Sequence, residues 1–322
     1  MSLRCPACGG ALRAWRAATA SDPQLAGHQE YALTRCTACG TARTELPAGA
    51  APPQSLYESG TYAPARSALD RILEPLRSVV ERDKLRFVRG LAPGARVLEV
   101  GAGDGRFVSR LRASGFEASG IEPSEGGVRM AHARSAPVER ATLEELRLEP
   151  ASLDAAIAWH VLEHLDDPEA ALTRIRTWLR PGGRVVLACP NLSSIQARIG
   201  GDRWFHQDVP RHRTHFTEAG LRLLLERLGF RLERMAHLLI EQNPLGMWQT
   251  LLNRLTGERN VAFRALKRDL GSGPEARRDL ALTAVAGPLL APIAIALELA
   301  AGFAGRGGSV VALATRNASA GR

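Results

Sequence analysis

Val97-Leu98-Glu99-Val100-Gly101-Ala102-Gly103-Asp104-Gly105 is the stretch on which the reading of this chain turns. Arg96–Val100 is a short apolar run of the length of a buried strand, and three glycines at alternate positions follow it. Residues 106–114 then carry helical spacing. A strand that ends in a glycine turn and opens a helix brings bare backbone close to a ligand, because glycine has no Cβ in the way. The helix N-terminus adds N–H groups and positive dipole, which suit an anionic group. Glu99 can face a cationic group of the same ligand. Glu122 ends the next strand, Ala118–Glu122, 17 residues after Gly105, where a carboxylate can accept hydrogen bonds from both hydroxyls of a ribose. The expected cradle is therefore Gly101, Ala102, Gly103 and Gly105, with Glu99 and Glu122 as its polar anchors.

The spacing discriminates between ligands. Nicotinamide dehydrogenases use Gly-x-Gly-x-x-Gly. Here the third glycine comes one residue early and position 106 is Arg.

Outward from the loop, strand and helix patterns alternate. Leu69, Leu73, Leu76, Val80, Leu85 and Val88 predict a helix over 68–89. Short helices are expected over 106–114 and 124–134, and a helix over 168–179 stopped by Pro181-Gly182-Gly183. A further helix over 217–228 is capped by Thr217 and closed by Gly229. Strands are expected at Leu153–His160, Arg184–Cys189, 230–239 and Ser309–Thr315. Such alternation predicts an α/β fold with a parallel sheet covered on both faces.

Three runs carry a resemblance. Val97–Gly105, Ile121-Glu122-Pro123 and Leu153–Asn191 resemble class I S-adenosylmethionine-dependent methyltransferases. The third run contains Trp159-His160-Val161-Leu162-Glu163-His164 and Leu179-Arg180-Pro181-Gly182-Gly183. It is similar to the small-molecule branch that includes ubiquinone-biosynthesis O-methyltransferases. The resemblance covers roughly 70–240 and 308–316. It implies a Rossmann-like, seven-stranded, mostly parallel sheet with an antiparallel last strand. It implies S-adenosylmethionine as the ligand of the glycine loop, with His160 also among the cofactor contacts. Ala141-Thr142-Leu143 falls where such enzymes contact adenine. This chain has Ala and Thr where an acidic residue is frequent, which leaves that contact to backbone, Thr142 and Leu143.

Methyl transfer from a sulfonium is an SN2 displacement, so in-line positioning does much of the work. A base is needed only where the acceptor must lose a proton. Two clusters follow strands where ligands bind in open α/β sheets. One is His160, Glu163 and His164. In the resembling family, Glu-x-x-Glu-His at this place can hold a divalent metal; here His160 replaces the first Glu. Bracing of the loop by hydrogen bonds is the other reading of Glu163 and His164. The second cluster is Trp204–Phe216, with His206, His212 and His215. His212 is the first choice of base and His206 the second. Arg211 and Arg213 would equally suit an anionic acceptor, and a solvated basic loop is the plainer reading.

Cys5-Pro6-Ala7-Cys8-Gly9 and Cys36-Thr37-Ala38-Cys39-Gly40 are two Cys-x-x-Cys knuckles with 27 residues between them. Two knuckles complete a tetrahedral thiolate site, so Cys5, Cys8, Cys36 and Cys39 are expected to hold a structural zinc. A module this small needs such a staple. It serves either as a docking element or as a cap on the catalytic domain. Met1–Pro6 lacks a signal-like apolar run, so a cytoplasmic location is expected.

Leu280–Leu297 is uncharged for 18 residues, with Pro288 and Pro292 expected to break it. A span would separate the last strand from its sheet. Two placements remain for 280–304: packing over the active site, or lying on a membrane surface behind Arg264, Lys267, Arg268, Arg277 and Arg278. Five regions result: a zinc-ribbon module at 1–46, a linker at 47–66, the S-adenosylmethionine-binding core at 67–240, a helical insertion at 241–307, and the last strand with a tail at 308–322.

The 322 residues are 45% hydrophobic and 23% charged, which excludes a disordered chain. The net charge of +9 comes almost entirely from arginine. Composition bias explains it as readily as an anionic partner does. The expected acceptor is a small molecule, free or linked to sugar or lipid. An RNA methyltransferase that reads through the ribbon is the alternative. It lacks an Asn/Asp-Pro-Pro-Tyr/Phe motif, so nucleic acid is not expected. A non-catalytic scaffold is the third reading, opposed by the intact loop and Glu122.

Overall fold

The computed structural model describes residues 4–20, 29–46, 78–240, 242–266 and 270–318. The expected linker at 47–66, the start of the expected helix over 68–89, and Lys267 and Arg268 lie outside the described residues.

Region 1–46, for which no strands were expected, forms β1 (Leu12–Thr19), β2 (Glu30–Cys36) and β3 (Ala42–Thr44) in an antiparallel sheet. Its edge is not left open. β3 pairs with β9 (Thr214–His215), a two-residue strand from the histidine-rich segment. Arg213 ties the junction from both sides, donating to the Thr44 carbonyl (3.0 Å) and to the Asp166 carboxylate (2.6 Å).

The main sheet holds β4 (Arg96–Val100), β5 (Glu117–Glu122), β6 (Val138–Arg140), β7 (Leu153–Trp159), β8 (Leu179–Pro190), β10 (Phe230–Ala236) and β11 (Ser309–Arg316). Their order is β10-β11-β8-β7-β4-β5-β6, and β11 runs antiparallel to both neighbours. The expected architecture is therefore present. Period-two alternation in the strands feeds two cores. Leu98, Val100, Ala156 and Ala158 join Leu172, Ile175 and Leu221 on one face. Val97, Ala155 and Ile157 join Phe107, Val108 and Leu111 on the other. β4 lies between β5 and β7, so the crevice for a ligand opens beyond the carboxyl ends of β4 and β7.

Helices α1 (78–85), α2 (Arg106–Ala113), α3 (Glu125–Ala133), α4 (Pro168–Trp178), α5 (Ile195–Gly200) and α6 (Glu218–Arg227) belong to this core. Thr217 caps α6, accepting from the Gly220 N–H (3.0 Å). Between β10 and β11 come α7 (Gln242–Asn253), α8 (Val261–Leu266) and α9 (Pro274–Phe303).

Three boundaries differ from expectation. Pro181-Gly182-Gly183 does not stop a helix. α4 ends at Trp178, Leu179 already pairs with Leu153, and Arg180–Gly183 form an irregularity opposite Asp154 before Arg184 pairs with Ala155. β10 ends at Ala236 rather than at 239. Pro288 and Pro292 do not break the apolar stretch, and α9 runs through both. Both prolines lie on its outward face, where a missing hydrogen bond and a small bend disturb no packing.

Candidate active site

The glycine turn is built from left-handed backbone. Gly101 has φ +71° and Gly105 +72°, a region costly for other residues. A Cβ on Gly105 would stand 2.6 Å from that of Ala136 and 2.8 Å from that of Ala131. The Gly101 and Ala102 N–H groups donate to the Ile121 carbonyl at 2.9 Å, fixing the turn to the end of β5. Glu122 is buried, and its two oxygens accept from the N–H groups of Gly103 and Ser124, both at 3.0 Å. Gly127, which sequence reading missed, makes room for it: a Cβ there would be 2.8 Å from Glu122 Cγ. Glu99 is buried in β4. Thr142 and Glu145 form a reciprocal cap, with Thr142 N–H donating to Glu145 (2.8 Å) and Glu145 N–H to the Thr142 hydroxyl (3.3 Å). Leu143 is buried beside it. Gly101 and Gly105 let the turn pack tightly on Val161, Ala131 and Ala136, and the turn sets the Gly103 N–H beside the buried Glu122 carboxylate, a backbone donor next to an acidic group as S-adenosylmethionine would need.

The chain leaves β7 through His160, which adopts φ +54°. Val161 then packs onto Gly101, so the next residues lie directly against the glycine turn. His160 Nδ1 lies 3.0 Å from Glu163 Oε1. His164 Nδ1–H donates to the Arg211 carbonyl (3.2 Å) and His212 Nδ1–H to the His206 carbonyl (2.8 Å). These bonds to carbonyls put the proton on Nδ1 and make Nε2 the basic nitrogen of both rings. The His160 and His206 rings lie parallel to within 6° at 6.1 Å, and His164 meets His212 edge-on at 4.7 Å. The two expected clusters are thus one nest, with Glu163, His206 and His212 buried and His160 and His164 half-buried. Ligand atoms of Glu163, His164 and His212 lie within 4.8 Å of one another, close enough for one divalent ion.

Four buried polar atoms around the nest have no hydrogen-bond partner among the described residues: Trp159 Nε1, His160 Nε2, Glu163 Oε2 and His206 Nε2. Burial pushes His206 down to about 3, helped by His160 and His212, so its ring is neutral. Burial and the nearby His212 push His164 down to about 4. Burial raises Glu163, but the His160 hydrogen bond and the neighbouring histidine charges outweigh it and hold the carboxyl at about 2.

His215 lies edge-on to His212, with ring centroids 6.3 Å apart, but its polar atoms turn the other way. Its Nε2 bonds the Thr44 hydroxyl (2.9 Å), which in turn donates to the His212 carbonyl (2.7 Å), so His215 belongs to the β3–β9 junction. Arg211 and Arg213 are not a bare basic loop either. They pair with Asp208 (3.0 Å) and Asp166 (2.6 Å). Asp208 and Trp159 were missed, although both adjoin flagged histidines. Gly246 of α7 was also missed. A Cβ there would stand 2.6 Å from His206 Nε2, and an isolated glycine inside an apolar helix is a usable signal of such an approach.

The four N-terminal sulfurs converge. Cys5 Sγ lies 3.6 Å from Cys39 Sγ and Cys8 Sγ 3.5 Å from Cys36 Sγ, and all four lie within 4.8 Å of one another. The Ala38 N–H donates to Cys36 Sγ (3.4 Å). Four thiols at these separations fit one tetrahedral zinc. The cysteine site is joined to the core, since the Thr217 hydroxyl donates to the Cys39 carbonyl at 2.7 Å.

A family model described as a methyltransferase domain matches residues 72–234. A ubiquinone biosynthesis O-methyltransferase of Azorhizobium caulinodans is 28% identical over 205 residues, 59% of this chain and 80% of that protein. The enzyme of the same name from Dinoroseobacter shibae is 29% identical over 175 residues, 50% of this chain and 69% of that one. A solved S-adenosylmethionine-dependent methyltransferase from Archaeoglobus fulgidus has a TM-score of 0.48 at 19% identity. That match covers 77% of this chain and 100% of the other.

Proposed function

This chain belongs to the methyltransferase domain family and is a class I S-adenosylmethionine-dependent methyltransferase, and we propose that its acceptor is the hydroxyl of a small molecule, free or linked to sugar or lipid. The observation that carries the proposal is the nest of His160, Glu163, His164, His206 and His212 against the glycine turn, with polar atoms left unpartnered. A buried polar atom without a partner costs about 1–3 kcal/mol. A ligand bearing a hydroxyl offsets that cost. The name of the similar O-methyltransferases supports oxygen as the methylated atom.

S-adenosylmethionine, when bound, supplies a methyl group already activated on a sulfonium. Gly101, Ala102, Gly103 and Gly105 would hold its methionine part with Glu99. Glu122 would take the ribose, Thr142 and Leu143 the adenine, and His160 the cofactor's exposed side. The chain's own chemical task is then to remove one proton from the acceptor hydroxyl. His212 is the base in this account, because its Nδ1–H is fixed on the His206 carbonyl and Nε2 is left to accept the proton. His206 is the poorer base, since its conjugate acid is strong. His164 and Glu163 position the nest. In a second reading, supported by the convergence of Glu163, His164 and His212, those residues ligate a divalent ion that would acidify the hydroxyl. Cys5, Cys8, Cys36 and Cys39 would carry the structural zinc that anchors β9, and with it the histidine segment.

The test is transfer of labelled methyl to phenolic and lipid-linked hydroxyl acceptors, with RNA in parallel, before and after dialysis against a chelator. Label in the organic phase is expected, and label confined to RNA would sink the proposal. Loss on chelation, restored by a divalent ion, selects the metal reading over the base.

A further inference from the structure

Helix α9 is built inside-out. Its 30 residues, about 45 Å at 1.5 Å per residue, bury one stripe against the protein. That stripe contains small and polar residues, among them Thr283, Gly287, Ala294, Glu298, Ala301 and Gly302. Its outward face carries Leu282, Val285, Leu289, Ile293, Leu299 and Phe303, with Val285 and Leu289 70% exposed and Phe303 79%. A helix on a soluble protein shows the opposite arrangement. Polar bonds hold this one in place. Glu298 accepts from the Gly308 N–H (2.6 Å) and Gln196 Nε2 (3.2 Å). Asp279 accepts from the Glu258 N–H (2.7 Å), and Trp248 Nε1 donates to the Gly287 carbonyl (2.8 Å). Small residues inside and large apolar ones outside is the packing used where the surroundings are lipid.

We propose that the outward face of α9 lies in the surface of a bilayer containing anionic lipid. From Leu280 to Phe303 the only charged residue is Glu298, and it is turned inward. The exposed charges at the ends of the stretch are Glu275, Arg277 and Arg278 before it, with Arg278 paired to the buried Asp279 (2.9 Å), and Arg306 after it, which leaves an excess of cations. Cations at both ends of an apolar ridge match anionic headgroups on either side of a helix lying in the membrane plane. A span is disfavoured, because β11 begins at Ser309 between β8 and β10 and keeps the end of α9 beside the sheet. A second copy of the chain suits this face less well, since protein interfaces carry a polar rim and hydrogen bonds. Here the outward residues from Leu280 to Phe303 are alanine, proline and larger apolar side chains.

The contact has a consequence for the enzyme, and that part rests on the proposed acceptor site. α9 packs on α7, and Gly246 of α7 is the residue against His206 Nε2. The histidine nest therefore sits one helix away from the membrane face, within reach of a lipid-linked acceptor.

The test is flotation of the full-length protein with vesicles of phosphatidylcholine alone, or with about a third phosphatidylglycerol, alongside light scattering without lipid. We expect flotation with the anionic vesicles, weakened by high salt. Leu289→Glu with Ile293→Glu should reduce it at least tenfold while leaving S-adenosylhomocysteine binding unchanged. Arg277→Glu should weaken flotation by several-fold. Protein that stays in solution with every vesicle overturns the proposal. So does flotation indifferent to the α9 variants. A dimer that those variants split, without vesicle binding, overturns it in favour of self-association. Failure of methyl transfer to a lipid-linked acceptor, with flotation intact, counts against the acceptor reading alone.

Discussion

Val161 occupies the space that a side chain on Gly101 would need: a Cβ on Gly101 falls 2.5 Å from Val161 Cγ2. The glycine turn and the first residues of the histidine nest are thereby in direct contact. Gly101→Ala combines that clash with a φ of +71°, which costs an L-residue about 1–2 kcal/mol. We expect at least tenfold weaker S-adenosylhomocysteine binding by titration calorimetry. Val161→Ala added to Gly101→Ala should relieve the clash but not the backbone strain, giving partial recovery. Full affinity in Gly101→Ala would contradict the close approach.

His212→Ala should lower the turnover number by about 10²–10⁴ if His212 is the base, with little change in S-adenosylhomocysteine affinity. His206→Ala should cost less. The loss should sit in the turnover number rather than in the acceptor KM. An unchanged turnover number in the variant would remove His212 from that role.

Cys36→Ser should remove the zinc and loosen the β3–β9 junction. The wild type is expected to carry one zinc per chain by elemental analysis, and Cys36→Ser much less. The melting temperature should fall by more than about 5 °C, within the range of losing a structural metal from a small module. Wild-type protein purified under reducing conditions, free of metal yet equally stable, would refute the zinc assignment.

Acid should unfold the protein through its buried histidines. Burial pushes His206 and His215 down to about 3 from an ordinary value of 6.5. Below 6.5 the unfolded chain binds protons that the folded chain refuses, so stability is full above pH 6.5 and falls as pH descends toward 3. His215→Gln should shallow the fall, read as melting temperature against pH from 7 to 4. An equal slope would show that His215 does not contribute to it.

Glu298 works in the opposite sense. Burial raises it from 4.5 to about 7, against the hydrogen bonds from Gly308 and Gln196. The folded state holds a proton that the unfolded chain releases at lower pH. Stability from this group is therefore present below pH 4.5 and lost as pH rises through 7. Glu298→Gln should remove that dependence. Its melting temperature relative to wild type should rise by on the order of 5 °C between pH 4.5 and 8.

The central sheet was legible because its signals are local. Val97–Val100 has strand length, Gly101 and Gly105 supply the left-handed turn, and Thr217 caps its own helix three residues away. What sequence did not reveal is long-range. Thr214–His215 is too short to show a period, yet it completes the ribbon sheet with Ala42 and Arg43. In sequence His215 is indistinguishable from its neighbouring histidines, and only its bond to the Thr44 hydroxyl, 171 residues away, sets it apart. In α9 the apolar count was visible, but the facing was not. That depends on Asp279 and Glu298 finding partners inside the fold, and it is why Pro288 and Pro292 on the outward face do no damage. Gly127 and Gly246 mattered through what stands over them, Glu122 and His206, far away in the chain.

Titration calorimetry with S-adenosylhomocysteine on the wild type and on Glu122→Ala tests the cofactor site most directly. Glu122 joins the glycine turn to the end of β5, with one oxygen on Gly103 N–H and the other on Ser124 N–H. The account predicts one site per chain, with affinity at least tenfold weaker in Glu122→Ala, about 1.4 kcal/mol, in a variant that still melts cooperatively. No binding to the wild type, or equal binding to both, would contradict it.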